Sequence, residues 1–194
     1  MEQTINIYIK KKDSNNEYKT KYGIPFQCVE LIRRFFSTIK LEGIINMSSK
    51  VSSFPSVIDA VDFFNIIDVL SSNNKVFKLK TYEYPYTKTY SYYLKPGSII
   101  FWKYKKPNFP YGHVALILDS NDKETIIIQQ NLNPPVKIYD NKTLFNKMNN
   151  LKSKFLGIKT IPKSLSKNIN LIKYNIVSLE GTLSVPSNSM LEKN

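Results

Sequence analysis

The sequence predicts an α+β fold in which N-terminal helices pack on an antiparallel β-sheet. Two observations carry this expectation. Amphipathic runs with helical spacing occupy the first third of the chain, and from residue 75 onward short apolar or β-branched runs follow one another between turn residues. Helices first and strands afterwards is the element order of an α+β domain. With 194 residues, 42% hydrophobic and 22% charged, the chain can bury a core without disulfides or metals as staples.

Residues 5–9 read as a strand, followed by the polar turn 10–16 and a loop that reaches Gly23 and Pro25. Cys28 then opens an amphipathic helix. Glu30, Arg33 and Arg34 share one face of it at i, i+3 and i+4, while Val29, Leu31, Ile32, Phe35 and Phe36 cover the rest. A second helix is expected over residues 57–70, with Ser56 and Asp59 as a candidate capping box and Asp59 and Asp62 favourable at its positive end. Strands are expected at 76–80, 99–102, 114–118, 125–130 and 155–161. Tyr82, Tyr84, Tyr86, Tyr90, Tyr92 and Tyr93, interrupted by Pro85, read as a loop that covers a core edge in preference to stacking on a ligand. After Pro162 the pattern fades. Residues 1–162 are therefore read as one domain and 163–194 as a polar C-terminal extension, with a strand near 170–179.

One cysteine and one histidine exclude an internal disulfide and a Cys/His zinc cluster, so neither a metal nor another cofactor is expected. A reducing compartment is the default. No basic-then-apolar leader opens the chain and no stretch approaches the ~18 apolar residues of a membrane span, which points to a cytoplasmic protein. The wealth of Lys, Asn, Ile and Tyr suits an AT-rich genome such as that of a large DNA virus or a parasite, and for a viral protein host cytoplasm or virion is the expected location. The net charge of +13 attracts phosphates, anionic lipids and acidic polymers. Arg33 and Arg34 are the only arginines, however, and nucleic-acid readers concentrate arginine for bidentate contacts. Nucleic acid is thus not the expected partner, although an anionic polymer on the basic surface stays open.

The chemistry centres on Cys28 and His113. A thiol at a helix N-terminus meets unpaired N–H groups and the positive end of the dipole, which favour thiolate and lower its pKa. His113 stands at the head of the apolar run Val114-Ala115-Leu116-Ile117-Leu118, where a strand would hold a base rigidly. Thiol hydrolases need these two groups and a third that accepts from the other imidazole nitrogen. A lone buried cysteine or a histidine beside glycine is more often structural, so their joint context decides.

That context resembles a known family. Tyr22-Gly23-Ile24-Pro25-Phe26-Gln27-Cys28-Val29-Glu30-Leu31-Ile32-Arg33-Arg34, then Lys95-Pro96-Gly97-Ser98-Ile99-Ile100-Phe101-Trp102, then Gly112-His113-Val114-Ala115-Leu116-Ile117 is similar to the CHAP (cysteine, histidine-dependent amidohydrolase/peptidase) domain, whose fold is papain-like. Within it, the Gln-Cys-Val-Glu start with paired arginines, the Gln130-Asn131 pair and Phe155-Leu156-Gly157 resemble the amidase domain of glutathionylspermidine synthetase/amidase and trypanothione synthetase.

The resemblance implies Cys28 as nucleophile and His113 as base. Its third member, usually glutamate, falls on Gln129, which can accept a hydrogen bond but brings no charge, so reduced activity is expected. Strand alternation would put Asn131 on the same face as Gln129, making it the second candidate. The oxyanion donors are the Cys28 N–H and the Gln27 amide, and Arg33 stands where that subfamily keeps an arginine close to the cysteine. An exposed pair with Glu30 is the plainer reading of Arg33. The implied reaction is amide hydrolysis through a thioester, on a peptide-like or polyamine-conjugate amide such as glutathionylspermidine, or on peptidoglycan amides. A CHAP-fold binding module without turnover and a basic polyanion binder are the competing classes.

Overall fold

The computed structural model describes residues 3–9, 27–38, 59–65, 68–70, 76–84, 94–106, 111–161, 172–178 and 181–183. The turn at 10–16, the loop up to Pro25, Ser56 and the tyrosines from Tyr86 to Tyr93 lie outside them. Strand β1 (Gln3–Ile9) precedes helix α1 (Cys28–Thr38), helix α2 (Ala60–Phe64) and strands β2 (Asp68–Leu70), β3 (Val76–Lys78), β4 (Lys80–Glu83) and β5 (Ile99–Tyr104). Then come β6 (His113–Ser120), β7 (Glu124–Ile128), β8 (Val136–Asp140), α3 (Leu144–Met148), β9 (Ser153–Thr160), β10 (Ile172–Ser178) and β11 (Gly181–Leu183).

Six of these strands form one fully antiparallel sheet in the order β4-β9-β5-β6-β7-β8. Its two faces are both covered. On one, Ile99, Phe101, Val114, Leu116, Leu118 and Ile128 meet Leu31, Ile32, Phe35 and Phe36 of α1 and Ala60 and Phe63 of α2. On the other, Ile100, Trp102, Ala115, Ile117 and Ile127 meet Leu144 and Met148 of α3. The side-chain alternation of β5 and β6 therefore serves two cores, which is why both read as continuous apolar runs. Two smaller sheets accompany it among the described residues: β1 runs parallel to β10, which pairs antiparallel with β11, and β2 pairs with β3. The strand expected near 170–179 is β10, lying along the first strand of the chain.

Three element assignments need correction, the first being Tyr82, read as loop, which lies in strand β4. The helix expected over 57–70 is the five-residue α2, and Asp68, Val69 and Leu70 are a strand. Asp59 is its N-cap, its side chain accepting from the Asp62 N–H at 2.8 Å, but Asn65 ends it with its own N–H on the Asp62 and Phe63 carbonyls. The β-branched run that follows, Ile66-Ile67 and Val69, favours extended backbone over helix. The single strand expected at 76–80 is divided at Leu79, which is buried between β3 and β4 as each takes a different partner.

Candidate functional site

Helix α1 begins at Cys28 itself, its first turn closed by Leu31 N–H donating to the Gln27 carbonyl at 3.3 Å. The N–H groups of Cys28 and Val29 lie in that first turn, free of intrahelical bonds as at any helix start. The amides of Cys28, Val29 and Val114 each favour the thiolate, and Cys28 and Val114 share one buried cluster. Since Val114 follows His113, this packing brings the N-terminus of α1 to the head of β6.

His113 is held from three sides. It lies opposite Trp102 in the β5–β6 register, with ring centroids 4.7 Å apart. Gly112 before it takes φ +66°, and a Cβ there would sit 2.7 Å from the Trp102 carbonyl oxygen and 2.9 Å from Val61 Cγ2. Only glycine fits both the backbone angle and the space. Gln129, just past the end of β7, hydrogen-bonds the imidazole and favours its charged form. The Gln129 amide nitrogen donates to the Pro134 carbonyl at 2.8 Å, so its oxygen is the end left to accept from the ring.

Burial dominates the electrostatics. The Cys28 thiol is pushed up to about 11, burial outweighing the three backbone amides that favour thiolate. The lowered thiol pKa expected from the helix N-terminus is therefore corrected: the backbone amides favour the thiolate, but burial to 7% exposure costs the anion more than they return. His113, 3% exposed, is pushed down to about 3 by burial, with Gln129 opposing. Both groups are neutral at pH 7, and His113 Nε2 meets no partner among the described residues.

Asn131 stands elsewhere. Strand β7 ends at Ile128 and Asn131 adopts φ +66°, so the alternation that would align it with Gln129 does not run that far. Its Nδ2 donates to Gln27 Oε1 at 3.3 Å, placing Asn131 and Gln27 together on an exposed edge beside Cys28. Arg33 is half-buried, and burial lowers its pKa against the pull of Glu30. Glu30 is itself only 2% exposed, so the carboxylate of the pair expected on this face of α1 is buried and not at the surface.

The buried pairing was not legible in the sequence. Glu30 receives Arg34 Nε at 2.8 Å, and Gln130 Nε2 donates both to Glu30 at 2.9 Å and to the Gln27 carbonyl at 3.1 Å. Gln130 Oε1 accepts from Arg34 at 2.9 Å and from the Tyr8 N–H at 3.0 Å, and Arg34 also donates to the Asn6 carbonyl. One amide thus joins β1, α1 and the segment that carries Gln129. The available signal was the pair of glutamines closing the apolar run Ile126-Ile127-Ile128, since a buried amide demands partners.

Among the described residues no helix is long and apolar enough to cross a membrane. A comparison with curated proteins gives no significant match. Among solved structures, one titled "The crystal structure of Ly7917" aligns at 14% identity and a TM-score of 0.44, over 71% of this chain and 54% of that one. The family model of the CHAP domain matches residues 17–131, more than half of the chain and a span that holds Cys28, His113, Gln129 and Asn131. The chain belongs to the CHAP domain family.

Proposed function

We propose that the protein is a cysteine-dependent amidase or peptidase with Cys28 as nucleophile and His113 as general base. The observation that supports this most directly is that Cys28 at the head of α1 and Val114, next to His113 on β6, pack in one buried cluster within the family-matched span. Because both groups rest neutral, the base removes the thiol proton as sulfur attacks the amide carbonyl. The imidazolium then gives that proton to the leaving amine, the C–N bond breaks, and water hydrolyses the thioester. Gln129 holds the ring through its carbonyl oxygen but adds no negative charge beside the imidazolium, which makes for slow turnover.

The Cys28 N–H and the Gln27 side-chain amide are the proposed oxyanion donors, with Asn131 fixing the Gln27 amide by holding its oxygen. Arg33, five residues along α1 from Cys28, is the proposed substrate contact. A peptide or peptidoglycan amide is the leading substrate, because CHAP domains are generally amidases or peptidases. A glutathionylspermidine-like conjugate is the finer alternative, supported by the Gln27-Cys28-Val29-Glu30 start and paired arginines.

Incubation of wild type and Cys28→Ala with purified peptidoglycan and with glutathionylspermidine, with new amines counted by fluorogenic labelling, tests the reading. Amine release by wild type alone is the expected result. No release by wild type from either substrate, with the protein folded, would move the assignment to a binding module.

A further inference from the structure

Beside Gly112 a groove of about 510 Å³ opens, lined by Val61, Lys103, Tyr104, Lys105, Lys106, Lys154 and Leu156. Its volume lies in the range of ligand sites. It adjoins the proposed reaction centre: Lys103 Cα is 3.5 Å, and Val61 Cγ2 2.9 Å, from where a Gly112 Cβ would stand, one residue before His113. Tyr104 in its wall has a raised phenol pKa, first through burial and then through its hydrogen-bonding neighbour Trp102, which opposes, and the charge of Cys28, which adds.

Its charge is one-sided. All four lysines are exposed, and among the described residues no carboxylate lines the groove, neither Asp59, the N-cap of α2, nor Asp62. Lys105 Nζ spends one donor on the Asn150 carbonyl at 2.7 Å. Lys103 and Lys154 are direct cross-strand partners in the β5–β9 ladder, just past the register shift at Phe101/Trp102. Like charges directly opposite on a sheet repel and lower stability. A pair that costs stability beside a nucleophile is understandable if a ligand's anions relieve it.

We propose that this groove holds the carboxylates of the amide substrate, with Lys103 and Lys154 as the primary contacts and Lys105 and Lys106 at the rim. The substrate class is then an amide flanked by free carboxylates, and an amide carrying a polyamine is repelled. The location of the scissile bond rests on the amidase reading, whereas the anion selectivity stands on the groove alone.

The experiment uses full-length Cys28→Ala protein and three fluorescein-labelled peptides, Ala-Glu-Ala-Glu, Ala-Gln-Ala-Gln and Ala-Lys-Ala-Lys, followed by anisotropy. The glutamate peptide should bind at least tenfold more tightly than the glutamine one, and the lysine peptide least. Lys103→Gln/Lys154→Gln should lose about tenfold for the glutamate peptide while its melting temperature holds or rises, as relief of repulsion requires. Lys95→Gln, an exposed lysine four residues before the start of β5, should change neither.

Equal binding of the three peptides, an equal loss in Lys95→Gln, or a loss that tracks a falling melting temperature would overturn the proposal. So would tighter binding of a short single-stranded oligonucleotide than of the glutamate peptide. If wild type hydrolyses none of the peptides while lysine-dependent selectivity persists, the groove stands and the amidase reading falls.

Discussion

The protonation of Cys28 and His113 sets what each can be seen to do. A thiol held near 11 should react with iodoacetamide slowly at pH 7, with labelling that climbs above pH 9, unlike a pre-formed thiolate that labels below pH 7. Mass-spectrometric alkylation across pH 5 to 10 measures this, and fast labelling at pH 6 would contradict a buried neutral thiol. His113 adds a stability signature. Its folded pKa of about 3 lies below the unfolded 6.5, so the unfolded state binds the extra proton between those values. Stability from this group is fully present above pH 6.5 and falls with acid at up to about 1.4 kcal/mol per pH unit. Urea unfolding between pH 6.5 and 5, above the ordinary carboxylate range, should show that slope in wild type and lose it in His113→Gln. The two residues were legible because each is the sole member of its type and each opens an element. The thiol's state was not, because a helix terminus is visible in sequence while the β6 backbone and apolar core that desolvate it are not.

At the scale of elements, the junctions between α1, β1, β6 and β7 decide whether the site is assembled. Gly112→Ala forces a Cβ against the Trp102 carbonyl and Val61 at a left-handed backbone angle. It should cost upwards of about 2 kcal/mol in urea unfolding, and should lower amine release by displacing His113 even at temperatures where the fold is retained. The Glu30–Arg34–Gln130 cluster makes a different prediction. Removing the carboxylate in Glu30→Ala leaves the Arg34 guanidinium buried without its charge partner, an expected loss of about 3–5 kcal/mol, while Glu30→Leu/Arg34→Met should recover most of it. If Glu30→Ala is as stable as wild type, the cluster does not hold the junction. Strands β5, β6, β7 and β9 were readable because their runs are apolar on both faces. Strand β8 and helix α3 were missed: in Val136-Lys137-Ile138-Tyr139-Asp140 the side chain that goes inside is Tyr139, with Ile138 46% exposed, so the apolar alternation misleads. α3 has only five residues, and Thr143 makes no side-chain cap to announce it.

For the whole molecule, the question is what residues after Pro162 contribute. Sequence polarity made 163–194 an extension, and pairing of strands so distant in sequence cannot be read from local pattern. In the structure β10 lies parallel to β1 from Gln3↔Ile172 to Ile9↔Ser178, and Tyr174 joins Ile5 and Ile7 in the same core as α1. β1 is therefore bounded by β10 through its backbone ladder and by Gln130 through the Tyr8 N–H, while the Asn6 carbonyl receives Arg34. Deleting 163–194 would strip one edge of β1 and uncover part of Ile5 and Ile7, which are 1% and 0% exposed. At ~1.5–3 kcal/mol for each fully buried isoleucine, a loss on the order of 3 kcal/mol is expected, together with looser hold on Arg34 and α1. A chain ending at residue 162 should then melt at lower temperature, and its Cys28 should alkylate faster at pH 8 as the helix loses its neighbour. Unchanged melting and unchanged alkylation would mean that Gln130 and Arg34 suffice to hold β1, and that residues 163–194 are dispensable to the site.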